Sequence, residues 1–328
     1  MSLPDTMKAM VTMGHGGLEQ MVLHENWPRP EPAAGEVLIK VAACGLNNTD
    51  VNTRSGWYSK TVTDATTGGA FEEVGEDDPT WGGAPITFPR IQGADICGEI
   101  VAVGAGVDVA RIGQRVITDG WLRDPDDPEN MDKTGYYGSE RDGGFAEYAT
   151  TLAVNAVPIT SNLSDAELAT FSCSYSTAEG MLTRANVTDK DTVLVPGASG
   201  GVGGALVQLA KRRGARVIAL ASEAKHADVA ALGPDMILPR APENLRAALG
   251  DEQITVVADV VGGPYWAKLI DILERGGRYT CSGAIAGPMV EFDLRTFYLR
   301  DLTFTGSTVI DPQVMQNLVK YIEAGEIK

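Results

Sequence analysis

Histidine and cysteine are scarce in this chain, which holds three His and four Cys among 328 residues. The cysteines, Cys44, Cys97, Cys173 and Cys281, form no C-x-x-C pair. They are too few and too scattered for a disulfide framework, which points to a reducing, cytoplasmic setting. The histidines, His15, His24 and His226, lie far apart along the chain and read as surface or turn residues. Cations are also in the minority: 27 Lys and Arg face 44 Asp and Glu, for a net charge of −17. That balance argues against nucleic acid and against an anionic membrane surface as partners. No run of about 18 apolar residues occurs, so no membrane span is expected. The start, Met1-Ser2-Leu3-Pro4-Asp5, lacks the basic and apolar regions of a signal peptide. Internal repeats are absent.

What is present suffices for two domains, since 44% of the residues are hydrophobic. The first half is rich in short strand patterns: Met7–Val11, Glu36–Ala43, Cys97–Gly104, Arg115–Ile117 and Gly144–Ala149. Many short strands at close spacing suggest a mixed, barrel-like β domain. Near residues 155–163 the pattern changes. Ser164-Asp165-Ala166-Glu167 reads as a helix start. Strands and helices then alternate over 192–196, 203–213, 215–220, 223–232, 235–238, 242–249, 254–260, 265–274 and 277–281, the pattern of a doubly wound parallel sheet. Two stretches, 59–88 and 120–142, read as loops. The first carries an acidic cluster, Glu72-Glu73 and Glu76-Asp77-Asp78, best taken as solvated surface.

The most informative stretch is Val193-Leu194-Val195-Pro196-Gly197-Ala198-Ser199-Gly200-Gly201-Val202-Gly203-Gly204. An apolar strand enters a glycine-rich turn, a helix follows, and a second strand starts at Ala215. Glycine removes the side chains that would block a pyrophosphate, and the helix start offers N–H groups and partial positive charge. Gly197 through Gly203 are therefore candidate dinucleotide-binding residues.

The chain resembles the medium-chain dehydrogenase/reductase superfamily, the zinc alcohol dehydrogenases and quinone oxidoreductases. The matching blocks are Cys44-Gly45-Leu46-Asn47-Asn48-Thr49-Asp50, Gly93-Ala94-Asp95, Gly113-Gln114-Arg115-Val116, Gly143 to Tyr148, Ser176-Thr177-Ala178 and the turn at 197–204. The resemblance implies an α/β chain with a GroES-like mixed β-barrel domain over 1–157. A Rossmann domain would cover 158–310. The return toward the first domain would start at 311–328 and be cut short. The active site would lie in the cleft between the domains, and the loop 59–88 would cover it.

In the zinc-dependent members a Cys stands where this chain has Asn47 and a His where it has Ala94; only Cys173 is kept. One cysteine cannot hold a catalytic zinc; Asp95, next to Ala94, could supply a carboxylate, and a Cys173/Asp95 metal site is the less favoured alternative. Loop 120–142 has no cysteine for a structural zinc. The resemblance is therefore to the zinc-independent NADPH:quinone oxidoreductase branch, supported by Arg54-Ser55-Gly56-Trp57-Tyr58. Without a metal, Asn47, Thr49 and Tyr58 are the candidate hydrogen-bond donors to a substrate oxygen. Asp50 would orient Asn47 or the nicotinamide side. Cys173 and Thr177 would sit beside the nicotinamide ring. At the end of the second Rossmann strand, where an NAD site carries an acid, this chain has Ala221, followed by Ser222 and Lys225. With Arg240 these favour NADPH over NADH, Glu223 being the counter-evidence. The expected reaction is hydride transfer to a quinone or α,β-unsaturated carbonyl. An alcohol dehydrogenase or aldehyde reductase, and a cofactor-binding protein without turnover, are the alternatives. A homodimer joined through Leu302–Gly306 is implied by the resemblance.

Overall fold

The computed structural model describes residues 3–66 and 85–328, which form two compact units. The first comprises residues 3–62, 85–173 and 315–324; the second comprises 63–66, 174–314 and 325–328. The acidic cluster of loop 59–88 lies outside the described residues.

The first unit contains β1 (Thr6–Thr12), β2 (Met21–Pro28), β3 (Glu36–Gly45), α1 (Asn48–Ser55), β4 (Arg90–Ile91) and β5 (Asp95–Val103). It continues with β6 (Arg115–Thr118), β7 (Trp121–Leu122), β8 (Gly135–Tyr136), β9 (Tyr148–Leu152), β10 (Ala156–Pro158) and α2 (Asp165–Leu168). The strands pair antiparallel in the orders β2-β1-β4 and β10-β6-β5-β3-β9, with β7 and β8 as a separate hairpin. Alternation along β3 explains the apolar run Val37-Leu38-Ile39. Val37 and Ile39 enter one core with Ile96 and Ile100, and Leu38 enters another with Met7, Val11 and Ile91. The β3–β5 register ends with Gly45 opposite Asp95. This pairing brings the chain after β3 against the start of β5, and with it the candidate site.

The boundary between the units falls within α3 (Ser172–Arg184), after Cys173. The second unit then runs β11 (Thr192–Pro196), α4 (Gly201–Arg212), β12 (Arg216–Ala221), α5 (His226–Ala230), β13 (Met236–Pro239) and α6 (Leu245–Leu249). It goes on to β14 (Ile254–Asp259), α7 (Trp266–Asp271), β15 (Leu273–Cys281), α8 (Leu294–Tyr298), β16 (Thr303–Gly306) and α9 (Gln313–Glu323). Its six strands are all parallel, in the order β13-β12-β11-β14-β15-β16. That is the doubly wound order, with the direction of winding reversing between β11 and β14. Helices cover the faces, so Val193-Leu194-Val195 and Val217 to Leu220 are all buried. Most of α9 belongs to the first unit, where Glu323 Oε1 accepts the Thr160 main-chain N–H at 2.8 Å. The last residues belong to the second unit, where Lys328 O accepts from the Tyr175 hydroxyl at 2.6 Å.

Several local expectations are corrected. The helix expected over 265–274 ends at Asp271, and Leu273-Glu274 begin β15, because Leu273 pairs with Ile254. The strand expected over 144–149 starts only at Tyr148. The helix expected over 223–232 is a 3₁₀ turn at Glu223–Lys225 followed by the short α5. Ser164 does cap α2, with its hydroxyl accepting the Glu167 N–H, but that helix is only 4 residues long. The stretch 120–142 is ordered around β8, because the tilted rings of Trp121 and Tyr136 meet with centroids 4.8 Å apart and Tyr137 is buried. Among the described residues, no helix is long and apolar enough to cross a membrane.

Candidate active site

Asn47 caps α1 in an extended conformation, and its main-chain N–H donates to Asp50 Oδ2 at 2.8 Å. The other Asp50 oxygen accepts from Gly93 N at 3.1 Å. Gln92, fully buried, donates to the Asp50 carbonyl at 2.8 Å and accepts from the Thr12 hydroxyl at 2.9 Å. Asp50 thus fastens the start of α1 to the turn before β5. The Asn47 side chain has a different partner: its Nδ2 donates to Asp95 Oδ2, while Asp95 Oδ1 accepts the Cys173 main-chain N–H. Gly45 allows this approach, since a Cβ there would overlap the Ala169 carbonyl and sit 2.8 Å from Asp95 Cβ.

Tyr58, two residues beyond the left-handed Gly56 that ends α1, donates its hydroxyl to Thr49 Oγ1 at 3.3 Å. Sequence reasoning missed Tyr136, which is buried and whose hydroxyl feels the charges of Cys173, Asp95 and Asp50. Two adjacent tyrosines in a stretch without periodicity were the available signal. Four of the sequence candidates, Asn47, Thr49, Asp50 and Tyr58, therefore gather in the first unit with Asp95, Tyr136 and Cys173.

Burial sets the electrostatics here. It pushes the Asp50 carboxyl up to about 6 against the main-chain N–H groups of Asn47 and Gly93, which lower it. It pushes Asp95 up to about 7 against the Cys173 N–H, with the nearby Asp50 charge adding to the rise. The Tyr58 hydroxyl is raised to about 12 by burial, so it remains a donor at neutral pH. Burial also holds Tyr136 and Cys44 well above their ordinary values.

The rise at Asp95 makes stability depend on pH. The folded chain holds this proton to higher pH than the unfolded chain does. The stability so gained is complete below about 4, the unfolded value, and is lost as pH rises through about 7. Melting wild type and Asp95→Asn at pH 5 and pH 8 should show the difference in Tm moving in favour of the variant at the higher pH. An unchanged difference would remove Asp95 as the source.

The second unit carries the glycine-rich turn. Gly197 is left-handed (φ 65°), and Gly200 caps α4 with its N–H on the Gly197 carbonyl at 3.0 Å. Ser199, Gly200 and Gly201 are exposed at the start of this 12-residue helix, whereas Ala198 and Gly203 are buried, and Val202 is half-buried. The turn fits a pyrophosphate, because a Cβ at Gly200 would fill only the open face of the cradle, its one neighbour being the Gly197 carbonyl at 3.4 Å. Thr177 lies half-buried in α3. Ser222 and Lys225 follow β12, and Arg240 follows the adjacent β13, all exposed at the same edge of the sheet. Lys225 pairs with Asp228 at 3.1 Å, both well exposed. His226, read from the sequence as a surface or turn residue, directly follows the 3₁₀ turn, and its Nε2 lies 3.1 Å from the Ala221 carbonyl. Sequence reasoning did not single out Asp259, which is fully buried at the end of β14 and accepts from Val261 N, Gly262 N and the Tyr279 hydroxyl at 2.7, 3.1 and 2.9 Å. Asp259 thereby shapes the loop whose Val261 methyl stands against Gly197.

A parallel sheet wound in this order, with a glycine cradle at the head of its first helix, defines a dinucleotide-dependent enzyme class. Comparison with known proteins agrees. Residues 33–161 match the family model of the alcohol dehydrogenase GroES-like domain, and residues 201–324 match that of zinc-binding dehydrogenases. A crystal structure from Sinorhizobium meliloti, assigned as an alcohol dehydrogenase, is 47% identical over 99% of this chain and 88% of that one, with a TM-score of 0.89. Acryloyl-coenzyme A reductase of Metallosphaera sedula is 29% identical over 98% of this chain and 90% of its own length. The chloroplastic NADPH-dependent alkenal/one oxidoreductase of Arabidopsis thaliana is 27% identical over 100% of this chain and 72% of its own. The chain belongs to the medium-chain dehydrogenase/reductase superfamily and is an NAD(P)-dependent oxidoreductase.

Among the described residues, no three His, Cys, Asp or Glu side chains are grouped to hold a metal ion. At the site itself Ala94 presents a buried methyl group, and both Asp95 oxygens receive N–H groups. Ala94 therefore offers no ligand atom where zinc-dependent relatives carry a His.

Proposed function

We propose that this protein is a zinc-independent, NADPH-dependent reductase of quinones or α,β-unsaturated carbonyls. The observation that carries the reading is the mutual engagement of Asn47, Asp95 and the Cys173 main chain, with Ala94 alongside. In place of metal ligands the site has an amide and two hydroxyl donors. A bound nicotinamide supplies the hydride. The protein supplies donors at Asn47, Thr49 and Tyr58 toward the substrate oxygen, where negative charge grows. Quinones and enones suit such a site, because their product anions are delocalised and need less stabilisation than a simple alkoxide. Tyr58 keeps its proton at neutral pH and so stays a donor throughout. The names of the Metallosphaera and Arabidopsis relatives, reductases of an acryloyl thioester and of alkenals and enones, lean the same way.

NADPH is favoured because Ala221 leaves no acid at the end of β12, and Ser222, Lys225 and Arg240 line that edge. We place the enzyme in the cytoplasm, because its four cysteines are too few and too scattered in sequence for the disulfide framework of an oxidising compartment. We also propose a homodimer through β16, the last strand of its sheet, paired on one side only among the described residues. The assignment of the Sinorhizobium structure favours a second reading, an alcohol dehydrogenase or aldehyde reductase.

The test follows NADPH absorbance with purified protein, an ortho-quinone or a simple enone as acceptor, and a chelator present. We expect NADPH loss that the chelator does not change and a lower rate with NADH. Activity that vanishes on chelation and returns with zinc would overturn the reading. Turnover of aldehydes alone would favour the second one.

A further inference from the structure

We infer that Asp95 is the positioning residue of this site: its carboxylate fixes the Asn47 amide against the N-terminal turn of α3 and so sets the face that the amide turns to substrate. The inference rests on the donor role proposed for Asn47. An ionised carboxylate only accepts hydrogen bonds, so it selects one end of an amide, the NH₂, and turns the carbonyl end away. Asp95 does this with Oδ2 while Oδ1 holds the Cys173 N–H, and its own side chain is almost wholly buried. One carboxylate therefore joins the chain after β3 to the head of a 13-residue helix. Asp50 does not duplicate this, because its oxygens take the main-chain N–H groups of Asn47 and Gly93. Asp50 sets where the Asn47 backbone lies, and Asp95 sets which way its side chain points.

Protonating Asp95 would convert one acceptor oxygen into a donor and loosen the amide. The titratable groups around it are Asp50, Cys44, Tyr136 and Cys173. Cys44 and Tyr136 are held protonated by burial, which leaves Asp50 as the other carboxyl to titrate near neutrality, at about 6.

Three measurements on the full chain test the inference. In the first, Asp95→Asn should lower kcat by about 10²-fold, the scale of an ångström-sized misplacement, with little change in NADPH affinity. In the second, combining it with Asn47→Ala should give a protein no slower than Asn47→Ala alone; fully additive losses would overturn the inference. In the third, the Asn47 side-chain amide resonance of ¹⁵N-labelled protein, identified by its loss in Asn47→Ala, should move as pH crosses about 7 in wild type and stay still in Asp95→Asn. A resonance that ignores both pH and the variant overturns the inference, even if Asp95→Asn folds poorly, because wild type alone then shows no coupling. The resonance does not depend on turnover. If wild type reduces no quinone or enone while the amide still follows Asp95, the functional reading fails and the positioning of Asn47 stands.

Discussion

Replacing Asn47 with alanine is expected to lower kcat for quinone or enone reduction by about 10²–10³-fold, the loss typical of removing one donor to a developing oxyanion. The cofactor should bind unchanged, since the glycine-rich turn belongs to the second unit and Asn47 to the first. KM should change much less than kcat, because a donor aimed at growing charge acts mainly in the transition state. The structural cost is limited. The Asn47 main-chain N–H still reaches Asp50, so the head of α1 keeps that bond, while Asp95 loses a side-chain partner but keeps the Cys173 N–H. Steady-state kinetics together with a fluorescence titration of NADPH separate the two effects. A variant with wild-type kcat would remove Asn47 from the chemistry and leave it as a helix cap.

The second large effect concerns the cradle, where two glycines that look alike should behave differently. At Gly203 an added Cβ would overlap the Gly197 carbonyl and lie 2.8 Å from Ala198 Cα, both rigid backbone. Gly203→Ala must therefore push α4 away from β11, at a cost of about 1–3 kcal/mol as an overpacked core contact. Its melting temperature without cofactor should fall. NADPH should also bind at least about tenfold more weakly, as the helix N–H groups leave their positions. At Gly200 the nearest atom to an added Cβ is the Gly197 carbonyl at 3.4 Å, and the backbone (φ −85°) suits any residue. Gly200→Ala should melt like wild type, yet still bind NADPH more weakly, because its methyl occupies the face a pyrophosphate approaches. Melting curves with and without NADPH distinguish the cases. Equal melting of the two apo variants would contradict the packing argument.

Elements made by local rules were legible before folding. The strand at 192–196 and the helix that follows carry their own signals: an apolar run, a glycine turn, then helical spacing. The misread elements are those in which a distant partner overrode local spacing. Leu269, Ile270, Ile272 and Leu273 keep a helical period, but Leu273 leaves the helix to pair with Ile254. The stretch 120–142 lacks periodicity, yet it is ordered because the rings of Trp121 and Tyr136 meet across a short hairpin.

The same division runs through the site. From the residues alone came the alternation of strands and helices and the phosphate cradle; the candidate donors around Asn47 and the alanine at the position of a ligating histidine came from the resemblance to the family. The alternation and the cradle are properties of neighbours in sequence, and short-range sterics and hydrogen bonding write them there. Only the tertiary structure decided which carboxylate holds the Asn47 side chain. Asp50 is three residues away and the nearer choice, but its oxygens are taken by main-chain N–H groups. Asp95 is 48 residues from Asn47 and 78 from Cys173, and the three meet because β3 and β5 pair with Gly45 opposite Asp95. A strand register is the sum of many small packing preferences spread along both strands, and no local pattern in the sequence states its outcome.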